Sequence, residues 1–230
     1  MSRYQVTVRI AAEAVRALRD SGANLCCAFG FQCDESKVEY NIIAWAEDPT
    51  PVNTISWTNG YLIAACKRGH TDHSLATPNT VALPITPGDK FTLNPDWTTT
   101  VSARDDTSPS NPSNIITFEN DTPSASAMVF SRIRGARASP IYLLSMGPHG
   151  MITGQYGMRP TGNMMLFFMA REEGTEFDAG KVGNGFVVRG AEDRGCSVGF
   201  VGGKWRVIKG VDGAESRQGG HEVEDWTLEV

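Results

Sequence analysis

The stretch Ile55-Ser56-Trp57-Thr58-Asn59-Gly60 is followed, 61 residues later, by the similar stretch Ile116-Thr117-Phe118-Glu119-Asn120-Asp121. The same offset relates Pro87-Gly88-Asp89 to Pro148-His149-Gly150. Because one ungapped register covers both blocks, we expect a strand–turn–strand unit used twice, over 53–104 and 114–169, with the polar loop 105–113 between the copies. Such a repeat indicates architecture and not chemistry.

Outward from these stretches, short apolar or β-branched runs bounded by turn residues continue along most of the chain, as in an all-β fold. The runs include 25–31, 38–45, 53–57, 61–66, 90–93, 115–119, 127–133, 141–145, 151–155, 164–169, 197–201 and 204–208. Residues 164–169 are apolar on both faces, so we expect a central strand there. Val201-Gly202-Gly203-Lys204 fits a two-residue hairpin turn, because glycine adopts positive φ without steric cost. A last alternating run at 226–230 could close the chain as a final strand.

One helix is expected, over 11–21, where Ala14 and Leu18 share a face and Gly22 follows at the position of a left-handed cap. We therefore predict a single β-rich domain over 1–230. Its architecture would be an antiparallel β-sandwich or flattened barrel with the helix against one opening, and the repeat favours two pseudo-symmetric halves.

Composition narrows the classes of function. The net charge of −5 argues against a nucleic-acid binder, which needs a basic surface for phosphates. The longest apolar run, 164–170, is too short to span a bilayer, and residues 1–6 lack the apolar core of a secretory signal. Five cysteines without framework spacing indicate reduced thiols, so we expect a cytoplasmic protein. No cofactor fingerprint is present, so no cofactor is predicted.

Two groups of residues are candidates for ligand binding. Tyr61 and Trp97, with Asn59 and Asp96, combine aromatic rings and polar groups as sugar sites do, whereas Trp57 matches Phe118 in the repeat and is expected in the core. Arg132 and Arg134 would share a face of a strand and could hold a carboxylate, phosphate or anionic glycan. A solvated edge strand is the plainer interpretation of these arginines.

His70, Asp72 and His73 are weak metal candidates, because no fourth ligand follows at a recognisable spacing and polar loops often carry such residues. Six of the eight methionines fall between 146 and 169. They could fill the core or line an apolar pocket. In a pocket, His149, Glu172 or Glu173 could transfer a proton, and Tyr142 and Arg159 could bind an oxyanion.

Two functional hypotheses follow. The first is a binding module, most simply a lectin-like one, for a glycan or another small ligand with polar and apolar parts. The alternative is a cofactor-free isomerase or cyclase that acts on an apolar metabolite in the methionine-rich half. The sequence leaves open whether the chain is an enzyme, and a homodimer is compatible with it.

Overall fold

The computed structural model describes residues 3–33, 36–67, 77–103, 114–135, 138–144, 151–189 and 195–208. These residues form fifteen strands, one α-helix and a 3₁₀ turn at Ala179–Lys181. The strands are β1 Arg3–Ile10, β2 Asn24–Cys33, β3 Val38–Glu39, β4 Trp45–Glu47, β5 Val52–Lys67, β6 Leu83–Ile85, β7 Lys90–Leu93, β8 Thr99–Ser102, β9 Ile116–Asn120, β10 Ala125–Ile133, β11 Ala138–Leu144, β12 Gly154–Met169, β13 Phe186–Arg189, β14 Cys196–Val201 and β15 Lys204–Ile208, and the helix α1 is Ala12–Asp20.

The strands form two sheets that pack face to face. The seven-stranded sheet has the order β11-β10-β5-β1-β14-β15, with β6 also paired to β5. The eight-stranded sheet has the order β3-β2-β12-β9-β7-β8, with β13 beside β12 and β4 beside β2. The predicted all-β sandwich is confirmed. Both sheets are mixed rather than purely antiparallel, because β1 pairs with β14 and β7 pairs with β9 in parallel.

Strand β12 shows why the long strands are apolar on both faces. Met164 and Leu166 point into the main core between the sheets, whereas Met165 and Phe167 belong to a second buried cluster on the outer side. Phe177 and Ile43 cover that outer cluster. The expectation that 164–169 forms a central strand is confirmed, since β12 pairs with β2 on one side and β13 on the other.

Helix α1 follows β1 directly and ends as its sequence predicts. Gly22 has a φ of +69°. Its N–H bonds to Arg19 O at 2.9 Å, and the Ala23 N–H bonds to Leu18 O at 2.9 Å. These two bonds are the Schellman arrangement, which satisfies the last carbonyls of the helix. Val15 is buried, and the helix packs against the core at the end of β1.

The hairpin between β14 and β15 also forms as predicted. Gly202 and Gly203 have φ values of +60° and +78°, and Val201 pairs with Lys204 across the turn. Both turn residues therefore have the positive φ of a type I′ turn, whose twist matches that of the flanking strands.

The two matching stretches of the proposed repeat occupy different sheets. Residues 55–60 lie inside the uninterrupted strand β5, whereas residues 116–120 are the whole of β9. The loop 105–113 and the run 226–230 lie outside the described residues. The pseudo-symmetry therefore stays a prediction.

Candidate functional site

A bulge in β12 opens a small cleft between the two sheets. Pro160 pairs with Phe31 and Met164 pairs with Phe29, so three residues of β12 lie opposite Gly30 alone. Gly162 has a φ of +76°, and Thr161 Oγ1 donates a hydrogen bond to Gly30 O at 2.8 Å. We call this feature the Asn59 cleft, and its lining is Phe29, Gly30, Phe31, Trp57, Asn59, Tyr61, Ser131, Ile141, Pro160 and Gly162.

Two of the predicted ligand-binding residues, Asn59 and Tyr61, meet at this cleft. Asn59 is exposed, and its Nδ2 donates a hydrogen bond to Tyr4 Oη at 2.8 Å. The Tyr4 ring stacks on Trp57 with centroids 5.5 Å apart and planes inclined by 17°. Trp57 is 6% exposed, as expected for a core residue. The side-chain amide of Asn59 is thus held by a tyrosine that itself lies on the core.

Tyr61 is more deeply set than Asn59. Its ring meets Phe31 edge-on with centroids 6.4 Å apart. Burial raises the pKa of Tyr61 to about 12, and the neighbouring Tyr4 adds to the shift. The phenol therefore keeps its proton at neutral pH and can donate as well as accept a hydrogen bond. The cleft encloses about 10 Å³, roughly the space of one water molecule. A sugar ring could only lie across its mouth.

The other two predicted residues of this group, Asp96 and Trp97, lie elsewhere, in the turn between β7 and β8. Asp96 Oδ1 accepts hydrogen bonds from Thr98 Oγ1 at 2.6 Å and Thr98 N at 3.0 Å, and these bonds lower the pKa of Asp96. Trp97 has a φ of +65°, and Lys67 Nζ lies 5.0 Å from the centre of its ring. Lys67 is six residues from Tyr61 along β5, about 20 Å of extended strand. Tyr61 and Trp97 therefore lie at two different places, the Asn59 cleft and the turn between β7 and β8.

The arginine pair does not continue one strand face. Strand β10 ends at Ile133, and Arg134 turns away with a φ of +52° while its N–H bonds to Ser56 O at 2.8 Å. The Arg134 guanidinium forms an ion pair with Glu47 and lies 5.4 Å from the centre of the Trp45 ring. Arg132 stays on β10, exposed and opposite Ala138. A shared anion site would need Arg134 to leave Glu47.

Two of the described candidates of the enzyme hypothesis, Tyr142 and Glu173, form hydrogen bonds with different partners. The buried Tyr142 donates to Glu39 Oε2 at 3.0 Å and stacks on Phe31 at 4.5 Å. Glu173 Oε1 accepts a 2.6 Å bond from Ser139 Oγ, and Glu172 is exposed. Arg159, opposite Gln32 on β2, has a buried Nε that finds no hydrogen-bond partner in the described part of the chain.

Four of the five methionines that the structure describes in this half are core residues, and Met169 is half-buried against the outer cluster. Met151, Met158, Met164 and Met165 are at most 2% exposed, and the lining of the Asn59 cleft contains none of them. These four methionines therefore fill the core. His149, proposed as the proton carrier, lies outside the described residues.

A second, wider opening lies between α1 and the β14–β15 hairpin, and sequence reasoning missed it. We call it the helix groove; it holds about 360 Å³ and is lined by Glu13, Ala14, Ala17, Leu18, Phe200, Gly202 and Gly203. Alanines on the helix and glycines in the turn leave the space, and Glu13 is its charged group. The signal in the sequence is the small residues Ala14 and Ala17 beside Leu18.

Cys26 and Cys27 are poor nucleophiles and poor metal ligands. Burial raises the pKa of Cys26 to about 12, and desolvation raises the pKa of Cys27 well above its ordinary value. Both thiols stay protonated at neutral pH, so neither is available as a thiolate. Within the described ranges no three histidine, cysteine, aspartate or glutamate side chains cluster as metal ligands do. The candidates His70, Asp72 and His73 lie outside those ranges.

Comparison of the chain with models of known protein families, with curated proteins and with solved structures finds no match in any of the three. The class that the fold defines is a β-sandwich of two mixed sheets. Among the described residues no helix has the length and apolar character needed to cross a membrane.

Proposed function

We propose that the chain is a ligand-binding module that recognises a ligand with polar and apolar faces, in the first instance a glycan, at the mouth of the Asn59 cleft. The observation that carries the proposal is that Trp57, Asn59 and Tyr61 line one opening, while Tyr4 contacts both Asn59 and Trp57. An amphipathic aromatic ring suits the apolar face of a sugar, and a neighbouring amide suits its hydroxyls.

The polar group of this site is positioned before a ligand arrives. Asn59 Nδ2 is engaged by Tyr4 Oη at 2.8 Å, so the orientation of the amide is set and its Oδ1 can accept from a ligand hydroxyl. Preorganisation of this kind lowers the entropy lost on binding. The small volume of the cleft favours one hydroxyl or water entering it while the remaining ligand lies on the rim.

A glycan array followed by calorimetry tests the proposal. Binding that is lost in Asn59→Ala and kept in Trp97→Ala places the glycan at the Asn59 cleft. The opposite pattern moves the site to the turn of Asp96 and Trp97, and an array without hits removes the lectin version. Asn24→Ala serves as the matched control, since the Asn24 amide donates to Arg171 O at 3.0 Å, outside both the cleft and that turn.

The helix groove supports a second version of the same function. Its volume of about 360 Å³ lies within the range of small-molecule sites, and its walls are mainly apolar side chains and glycine backbone. A small apolar ligand with a hydroxyl or amine directed at Glu13 would fit this opening. Ala17→Phe would fill the groove and is expected to abolish such binding while leaving the Asn59 cleft unchanged.

The cofactor-free isomerase or cyclase stays the alternative hypothesis. It requires a methionine-lined pocket, and the described methionines fill the core. Turnover of an apolar metabolite that is lost in His149→Ala would support it over the binding module. The cytoplasmic location and the homodimer stay predictions as well.

A further inference from the structure

Strand β15 is an open edge of the seven-stranded sheet: within the described ranges, β14 is its one strand partner. In a two-residue hairpin the pair next to the turn, here Val201 and Lys204, is hydrogen-bonded. Bonded and non-bonded pairs then alternate, so the backbone groups of Trp205 and Val207 face away from β14. They are free to form a ladder with one more strand.

The two faces of β15 differ in character. Trp205 points inward, where its ring stacks on Phe168 of β12 at 5.2 Å. Val207 lies on the same face and pairs with the fully buried Val198, yet Val207 is 50% exposed. Lys204 and Arg206 point to the outer face, and both are exposed. A strand that completes this edge should be apolar inside and acidic outside.

One segment of this chain has that pattern. In Asp225-Trp226-Thr227-Leu228-Glu229-Val230 the apolar Trp226, Leu228 and Val230 alternate with Asp225, Thr227 and Glu229. With the period of two of a β-strand, three apolar side chains would lie on one face and both carboxylates on the other. The segment lies outside the described residues.

We propose that residues 225–230 pair with β15 as an antiparallel strand and complete the seven-stranded sheet. In the register that matches both faces, Glu229 lies opposite Lys204 and Trp226 lies opposite Val207. Arg206 is then diagonal to Asp225 and Glu229, close enough for opposite charges to attract. The match on both faces distinguishes this pairing from the general use of lysine and arginine to protect an edge strand.

The connection between the two strands is long enough. The connection has sixteen residues, 209–224, whereas a connection between adjacent antiparallel strands, about 4.8 Å apart, needs only about two. A segment tethered in this way has an effective local concentration of about a millimolar, so weak pairing is sufficient. A second copy of β15 fits less well, because a twofold pairing centred on Arg206 would place this residue opposite its own copy.

Amide hydrogen exchange of the full chain tests the proposal. Removal of residues 225–230 is expected to accelerate exchange of the Trp205 and Val207 amides at least about tenfold, with the amides of β1 unchanged. Equal exchange in both chains would overturn the pairing. Unchanged protection of β1 also shows that the shortened chain folds.

Charge reversal gives a second readout in chains of full length. Asp225→Lys with Glu229→Lys should accelerate exchange of the same two amides, and adding Lys204→Glu with Arg206→Glu should restore protection. The matched control, Asp212→Lys with Glu215→Lys, makes the same change in net charge outside the segment and should have no effect. Failure of the restoration, or protection that rises with protein concentration, would contradict pairing within one chain, and the second result would assign the edge to another copy.

Discussion

Arg134 at the end of β10 and Glu47 of β4 form an ion pair that joins the two sheets of the sandwich. The guanidinium also lies 5.4 Å from the centre of the Trp45 ring, and Trp45 Nε1 donates to Glu47 Oε1 at 3.1 Å. Three side chains thus link the strand that carries the predicted arginines to the opposite sheet. Arg134 therefore contributes to the contact between the sheets, and it would have to leave Glu47 to bind a ligand.

Replacing Arg134 by alanine is expected to lower the free energy of unfolding by about 1 kcal/mol, because both the ion pair and the cation–π contact are half-exposed. A double-mutant cycle with Glu47→Ala should give a coupling of about 0.2–1 kcal/mol that decreases as salt is added. Urea unfolding at low and high ionic strength measures both quantities. A coupling of zero would mean that the pair contributes nothing to stability.

Gly30→Ala is expected to destabilise the protein by about 1–3 kcal/mol through overpacking. A Cβ at Gly30 would lie 2.8 Å from Thr161 Oγ1 and 2.8 Å from Val38 Cγ1. Val38→Ala should recover part of the loss, since it removes one of these contacts. Gly183→Ala is the control, because a Cβ there meets nothing within 4 Å and its effect should stay within about 0.5 kcal/mol. Equal effects at Gly30 and Gly183 would contradict the crowding.

Gly203→Ala should cost roughly 1 kcal/mol and lower the melting temperature by about 2–4 °C in a chain of this size. The cause is backbone conformation alone, since φ is +78° and a Cβ would meet nothing within 4 Å. Gly202→Asn is the matched variant and should be nearly neutral, because asparagine is favoured at the first position of a type I′ turn. Calorimetry measures the melting temperatures of both variants, and similar values would argue against a type I′ turn.

Because the phenol of Tyr61 is buried, the protein is expected to lose stability at high pH. Burial raises its pKa in the folded chain to about 12, above the ordinary value of 10.0. Between these values the unfolded chain releases the proton while the folded chain keeps it, so the free energy of unfolding falls by about 2–3 kcal/mol as pH rises through this interval. Tyr61→Phe should remove this part of the pH dependence. Denaturant titrations from pH 8 to 12 measure the difference, and parallel curves would show that Tyr61 is not buried as described.

Several elements could be predicted because their cause is local. The helix cap at Gly22 and the turn at Gly202 and Gly203 depend on positive φ values, which glycine reaches without steric cost. The central position of β12 follows from apolar residues on both faces of one short run. Such signals lie within a few neighbouring residues, so a sequence displays them.

The structure differs from the expectations based on sequence where contacts between distant segments determine the conformation. Asn59-Gly60 looks like a turn, yet β5 runs through it without a break, partly because Ser131 Oγ of β10 donates to both Thr58 O and Gly60 O, at 3.1 and 3.3 Å. The parallel pairing of β1 with β14 joins residues about 190 positions apart, which no local pattern can show.

For the candidate site, too, the sequence indicated the residue types but not which side chains meet. Aromatic and amide residue types around Asn59 indicated a binding chemistry, since residue type sets which groups a surface can present. Strand register determined which of these side chains meet. Strand β5 places Asn59 and Tyr61 beside the bulge of β12. About 20 Å further along the same strand, Lys67 contacts Trp97. Local preferences therefore determined the strands, the helix and their turns, whereas the pairing of distant strands determined which side chains share a surface.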